Sequence, residues 1–170
     1  IDNASSLERL LPHHAPEVLE RIVARVTRPD ATRDGLRITS WNSGMAGAMT
    51  GDELRESLLR AKESYRGVFG QFLDPGIQPT GNMFSPDHLD ILTQEDLGLE
   101  WISLFYSATH LTGFRRDALL TLHQAHNVLT LKRSAEDDTD STLKLIPLYH
   151  HADVVDHGGL LSWARQLHTT

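Results

Sequence analysis

The sequence contains no cysteine. This absence excludes disulfide bonds, thiol catalysis, Cys-ligated zinc and iron–sulfur clusters together. It leaves the cellular compartment open, because a chain without cysteine suits a cytoplasmic and an exported protein equally. Imidazole and carboxylate groups remain as ligands for a divalent metal such as zinc, so zinc stays a candidate cofactor.

Long apolar runs and an excess of basic residues are also missing. No apolar stretch approaches the roughly 20 residues that a membrane helix needs. Lys plus Arg number 16 against 23 Asp plus Glu, which gives a formal net charge of −7. An acidic surface disfavours broad binding to nucleic acids and anionic membranes. We therefore expect no nucleic-acid partner and no membrane span, and the oligomeric state is left open.

The chain has enough apolar residues to fold. It is 170 residues long, with 39% apolar and 23% charged residues. This size and balance predict one domain over residues 1–170. The first residue is Ile1 rather than Met, which suggests a piece of a larger chain.

Apolar residues recur at steps of three and four in several segments, which predicts helices. Pro12 and Pro16 divide the first of these segments. Thr50 and Glu53 have the spacing of a capping box at the start of the clearest helix. The predicted helices cover residues 5–27, 51–73, 85–97, 114–131 and 160–167.

Short apolar segments between these helices predict strands. Residues 99–106 and 143–149 are nearly continuous apolar runs, typical of buried strands. Residues 36–41 alternate, and residues 77–84 form an extended segment in which proline and glycine permit only an edge strand. Strands that alternate with helices favour an α/β fold, with a mostly parallel sheet or an incomplete (β/α) barrel.

Functional sites in such folds gather at the carboxyl ends of the strands. Trp41 stands at one such end, where its ring could form the floor of a sugar site. The predicted substrate-binding residues are Trp41, Asn42, Asn82, Ser85 and Tyr106.

Histidine is abundant, with ten residues. The densest cluster follows the last predicted strand, and its members are His150, His151, Asp153, Asp156 and His157. The cluster supports two interpretations: a polar exposed loop, or a site for metal binding and proton transfer. His123 and His126, three residues apart on a predicted helix, could add ligands from one face.

Several segments together resemble the polysaccharide deacetylase family. Residues 35–41 resemble a family strand, and residues 49–54 resemble the turn that opens its next helix. Residues 76–86 resemble the next strand and its substrate-facing loop, and residues 97–99 a family helix end. Leu148-Tyr149-His150 resembles the late Leu-x-His motif, and the likeness extends loosely over residues 15–165.

The resemblance implies a carbohydrate deacetylase, with His150 assisting the leaving group. The family's Asp-Asp motif is absent here, and its metal-binding histidines would fall at residues 41–45, where this chain has none. A shortened or metal-free relative is therefore one interpretation of the resemblance. His150 is the one mechanistic residue that carries over.

These observations lead to three hypotheses. The first is a deacetylase-like domain that hydrolyses or binds an N- or O-acetylated sugar or a related small molecule. In it His150 is the general acid–base, and Asp153 or Asp156 orients a histidine. The second is a non-enzymatic interaction or effector domain. The third is a metal-dependent hydrolase that uses the same cluster, with His151 and His157 as metal ligands.

Overall fold

The protein is described by a computed structural model over residues 4–71, 74–80, 84–105, 127–131 and 143–148. The helices are α1 (Leu11–His14), α2 (Pro16–Val26), α3 (Gly51–Phe69) and α4 (Leu89–Leu92). The strands are β1 (Gly76–Ile77), β2 (Trp101–Phe105), β3 (Leu129–Thr130) and β4 (Lys144–Leu148). A π-helical turn, Ser6–Leu10, leads into α1, and 3₁₀ turns at Ala46–Ala48 and Pro86–His88 precede α3 and α4.

The four strands form one sheet in the order β1-β2-β4-β3. β1, β2 and β4 are parallel, and β3 joins the far edge in the antiparallel direction. Ile38 forms an isolated parallel bridge to Ile77, which extends the sheet beyond β1. The prediction of an α/β fold with a mostly parallel sheet is confirmed.

One row of the sheet is apolar from one side to the other. The bridge and the strand register align Ile38, Ile77, Ile102 and Leu145 on neighbouring strands. All four side chains are buried. Successive residues of a strand point to opposite faces, so this row fixes which face of each strand meets the core.

α3 begins where the sequence predicts, but it ends at Phe69 rather than at residue 73. Thr50 accepts from the Glu53 backbone N–H and the Glu53 carboxylate accepts from Thr50, so the capping box is complete. Gly70, at φ 77°, ends the helix in the left-handed conformation. α3 contacts the π-helical turn, α2 and α4. Its buried face, with Leu58 and Tyr65, contributes to the core.

Three further local predictions are wrong. Residues 36–41 form no strand apart from the bridge at Ile38. The chain leaves the sheet because the backbone of Trp41 bonds elsewhere: its N–H donates to Ser57 Oγ at 3.0 Å, and its carbonyl accepts from Ser5 N at 2.9 Å.

The other two errors concern helix ends. The predicted helix over residues 114–131 is a strand at Leu129–Thr130, where pairing with β4 overrides the local periodicity. Its residues 114–126 lie outside the described part. α4 ends at Leu92 instead of Leu97, since the next backbone bonds reach back three residues rather than four: Gln94 N–H donates to the Ile91 carbonyl at 3.2 Å and Leu97 N–H to the Gln94 carbonyl at 3.1 Å.

Candidate functional site

Trp41 lies at the carboxyl edge of the parallel strands. Ile38 runs parallel to β1, and three residues later the chain turns at Trp41. The Ser43 N–H donates to the Ser40 carbonyl at 3.2 Å, and the buried Ser40 hydroxyl donates to the Gly44 carbonyl at 2.7 Å. These bonds fix the turn that presents Trp41 to α3.

The Trp41 indole nitrogen is held by two partners from different parts of the chain. Its N–H lies 3.1 Å from Ser64 Oγ on α3 and 3.3 Å from Glu8 Oε2 on the π-helical turn. Ser64 Oγ in turn donates to Glu8 Oε2 at 2.7 Å. Glu8, Trp41 and Ser64 therefore form a closed triangle that connects the N-terminal turn, the sheet edge and α3.

The Glu8 carboxylate is stabilised in its charged form. The hydrogen bond from Ser64, followed by that from the Trp41 indole, lowers its pKa below the ordinary glutamate value of 4.5. Arg9 and Arg60 lower this pKa further by charge attraction. Glu8 accordingly acts as an anchor that remains charged rather than as a proton donor near neutral pH.

Two guanidinium groups lie over the Trp41 ring. The Cζ atom of Arg60 is 3.7 Å from the ring centroid, and the Cζ atom of Arg9 is 4.8 Å from it. Both distances fall within the range of cation–π attraction. The ring area that these arginines cover is closed to any other stacking partner.

A groove of about 720 Å³ opens beside Trp41. We call it the Trp41 groove. It is lined by Trp41, Asn42, Ala48, Met49, Asp52, Glu53, Glu56, Ser57 and Arg60. Its volume lies within the range of roughly 300–1,000 Å³ that is usual for ligand sites. The loop after Trp41 supplies its apolar part, and the first half of α3 supplies its polar part.

The polar side of the Trp41 groove is rich in carboxylates. Glu53 is occupied by the capping box, which lowers its pKa. Asp52 and Glu56, one helical turn apart, have neither a hydrogen bond nor an ion pair to their side chains within the described residues. These two exposed carboxylates are available as hydrogen-bond acceptors for a ligand.

A second cavity of about 800 Å³ lies between α3 and the N-terminal helices. We call it the interhelical cavity. It is lined by Glu8, Pro12, Leu19, Glu56, Arg60, Glu63, Ser64, Gly67 and Val68. Glu56 and Arg60 line both cavities, so the Arg60 side chain lies where the two spaces meet.

The structure brings together two of the predicted substrate-binding residues and separates a third. Trp41 and Asn42 both line the Trp41 groove, and Asn42 Oδ1 accepts from the Gly44 N–H at 3.3 Å. Ser85 begins the 3₁₀ turn before α4, where its hydroxyl accepts from the Asp87 N–H at 3.4 Å, and it does not line either cavity.

The remaining predicted site residues lie outside the described part of the chain. They are Asn82, Tyr106, His150, His151, Asp153, Asp156 and His157. β4 ends at Leu148, at the same carboxyl edge as Trp41. β1 and β2 separate the two positions, which corresponds to about 14 Å along the sheet at the usual strand spacing.

Sequence reasoning missed the partners of Trp41. Glu56, Arg60 and Glu63 recur at steps of four and three, a spacing that places them on one face of α3. Their common face could therefore have been predicted from the sequence. The approach of Glu8 and Arg60 to Trp41 could not have been predicted, since it depends on how the N-terminal turn packs on α3.

Among the residues that the structure describes, two buried polar atoms have no hydrogen-bond partner, namely Thr80 Oγ1 and His88 Nδ1. His88 is 7% exposed. A buried imidazole nitrogen without a partner is costly. Neither residue lines the Trp41 groove.

Within the described ranges, no group of three or more His, Asp or Glu side chains could hold a metal ion. No helix in the same ranges is long and apolar enough to cross a membrane. The predicted metal ligands belong to the part that is not described.

Fold and groove together define an α/β domain with a ligand-sized groove at the carboxyl edge of its sheet. No protein-family profile matches the sequence, and no curated protein matches it either. Among solved structures, 4-alpha-glucanotransferase from Thermococcus litoralis is similar, with a TM-score of 0.64 and 10% sequence identity. The match covers 92% of this chain and 22% of that chain. At this identity the similarity shows a shared fold alone.

Proposed function

We propose that this chain is a carbohydrate-binding α/β domain whose saccharide lies in the Trp41 groove. The observation that carries the proposal is the groove itself, at the carboxyl edge of a parallel sheet. In it an indole lies beside an amide and beside two carboxylates that have no partner among the described residues. Sugars combine apolar C–H faces with hydroxyl groups, so they suit an aromatic ring flanked by hydrogen-bonding side chains.

Two further observations support this proposal without identifying the sugar. The sequence resembles polysaccharide deacetylases, and the fold is similar to that of a 4-alpha-glucanotransferase. The chain spans about a fifth of the length of that glucanotransferase. Any enzymatic activity of this chain must therefore be measured directly. The first reaction to assay is deacetylation of an N- or O-acetylated sugar. The metal-hydrolase alternative depends on His151 and His157, and the groove gives it no support.

The test is calorimetric titration with two saccharide series, N-acetylglucosamine oligomers and malto-oligosaccharides. We expect saturable binding of at least one series. Asp52→Asn should weaken it about 5- to 20-fold, since a charged hydrogen-bond acceptor is lost. Glu17→Gln, an equally exposed carboxylate on α2 that lines neither cavity, is the matched control and should leave affinity unchanged.

Catalysis is tested separately by measuring acetate released from the N-acetylated series. Acetate release that disappears in His150→Ala would support the deacetylase assignment. Release without change in that variant would remove His150 from the mechanism. If neither series binds at millimolar concentration, the carbohydrate proposal is wrong.

A further inference from the structure

Arg60 lines the Trp41 groove and also covers the Trp41 ring on which a sugar would stack. The Arg60 guanidinium lies 3.7 Å from the Trp41 centroid, in van der Waals contact with the ring. A sugar that stacks on this ring must occupy the same space. The groove described above is therefore in a closed form with respect to stacking.

The Arg60 side chain has space for a second position away from the Trp41 ring. Its side chain lines the interhelical cavity as well as the Trp41 groove, so open space lies on both sides of it. Glu63 lines the interhelical cavity, three residues after Arg60 on α3. It has no ion pair within the described part of the chain. Residues at this spacing on a helix can form an ion pair.

We propose that Arg60 is a specificity-determining residue that covers Trp41 in the free protein and moves to Glu63 when a saccharide stacks. Two exposed interactions of similar strength, one cation–π and one ion pair, alternate in this exchange. A saccharide stacks on Trp41 when its contact with the indole is stronger than the contact of the Arg60 guanidinium with the same ring. This proposal rests on the proposed function, because it concerns the entry of the saccharide.

The test uses the saccharide that binds the parent chain. Calorimetric titrations compare the parent with three variants, Arg60→Ala, Glu63→Gln and Arg66→Ala. Arg60→Ala removes the nearer of the two guanidinium groups over the ring and should tighten binding about two- to fivefold, the value of an exposed cation–π contact. Glu63→Gln removes the partner of the open form and should weaken binding by a similar factor. Arg66→Ala is the matched control: it removes an exposed cation from the same helix that lines neither cavity, so affinity should stay unchanged.

A fluorescence measurement on the protein without saccharide tests separately whether Arg60 covers the Trp41 ring. With Trp101→Phe and Trp163→Phe in place, Trp41 is the one tryptophan left to fluoresce. Acrylamide should quench its fluorescence more strongly when Arg60→Ala is added. Arg60→Gln repeats the test with a side chain of intermediate length. Binding by Arg60→Ala that is equal to or weaker than that of the parent overturns this inference and leaves the carbohydrate proposal in place. Absence of binding by every variant overturns both, whatever the quenching shows.

Discussion

The Trp101 indole lies directly over the Cα atom of Gly76, its register partner in β1. A Cβ atom added at Gly76 would fall 2.0 Å from Trp101 Cζ2. The glycine is therefore required by close packing between two strands rather than by backbone conformation.

We expect Gly76→Ala to lower the free energy of unfolding by about 2–3 kcal/mol, since overpacking forces neighbouring atoms to shift. Urea denaturation measures the effect. Gly67→Ala is the matched control, because a Cβ there meets no atom within 4 Å in α3. Its helix propensity should raise stability by about 0.5–1 kcal/mol. Equal stabilities of the two variants would contradict the packing argument.

The sequence predicted those elements whose signals are local. α3 carries its periodicity and its capping box within one continuous segment, so its start at Gly51 was predicted. Its end at Gly70 was not, because the apolar spacing continues past that glycine to Phe72. β2 and β4 were recognised from nearly continuous apolar runs. In each case the residues that decide the structure are neighbours in sequence.

The parts that failed depend on distant residues. Leu129–Thr130 is a strand because β4 lies beside it, although its own periodicity continues a helix. Trp41 was predicted as a site residue, but the Arg60 guanidinium over its ring could not be predicted. That contact requires the turn after Ile38 and the middle of α3 to meet, which no local pattern encodes.

The buried Lys62 stabilises the segment that follows α4. Its ammonium donates to the carbonyls of Asp96 and Leu97 at 2.7 and 2.6 Å. Burial lowers the pKa of Lys62, so part of the gain is offset by desolvation. We expect Lys62→Met to lower stability by about 1–2 kcal/mol, because the buried Leu97 carbonyl loses its donor. Arg66→Met, an exposed cation on the same helix, should change urea stability by less than about 0.5 kcal/mol.

Tyr65 connects α3 to the sheet and predicts an alkaline transition. Its hydroxyl donates to the Arg37 carbonyl at 3.3 Å, and burial raises the pKa of Tyr65 to about 12. The unfolded chain ionises this tyrosine near pH 10.0 while the folded chain keeps the proton, so stability should fall between pH 10 and 12.

The Tyr65→Phe variant tests this assignment. Below pH 9 it should lose about 0.5–1.5 kcal/mol with the hydrogen bond, and its alkaline fall in stability should be smaller than that of the parent. Phe69→Leu, beside the same ring, should lower stability without changing the slope against pH. An unchanged slope in Tyr65→Phe would contradict the role of this hydroxyl.

The lowered pKa of Glu8 predicts that the folded state loses stability at acid pH. The folded chain holds the pKa of Glu8 below 4.5 through Ser64 and Trp41, so the unfolded chain takes up the proton at a higher pH. The stabilisation is complete above pH 4.5 and is lost as the pH falls through the folded value. Glu8→Gln should therefore reduce stability near neutral pH and make the acid slope shallower, whereas Glu17→Gln should leave the slope unchanged. Thermal denaturation between pH 2.5 and 7 measures both.

The central claim, that a saccharide lies beside Trp41, is tested most directly by nuclear magnetic resonance of the indole N–H groups. During titration with N-acetylglucosamine or malto-oligosaccharides, the Trp41 indole resonance should move with saturation while that of Trp101, held over Gly76 in the sheet, stays in place. An unmoved Trp41 resonance at a concentration where calorimetry shows binding would contradict the account.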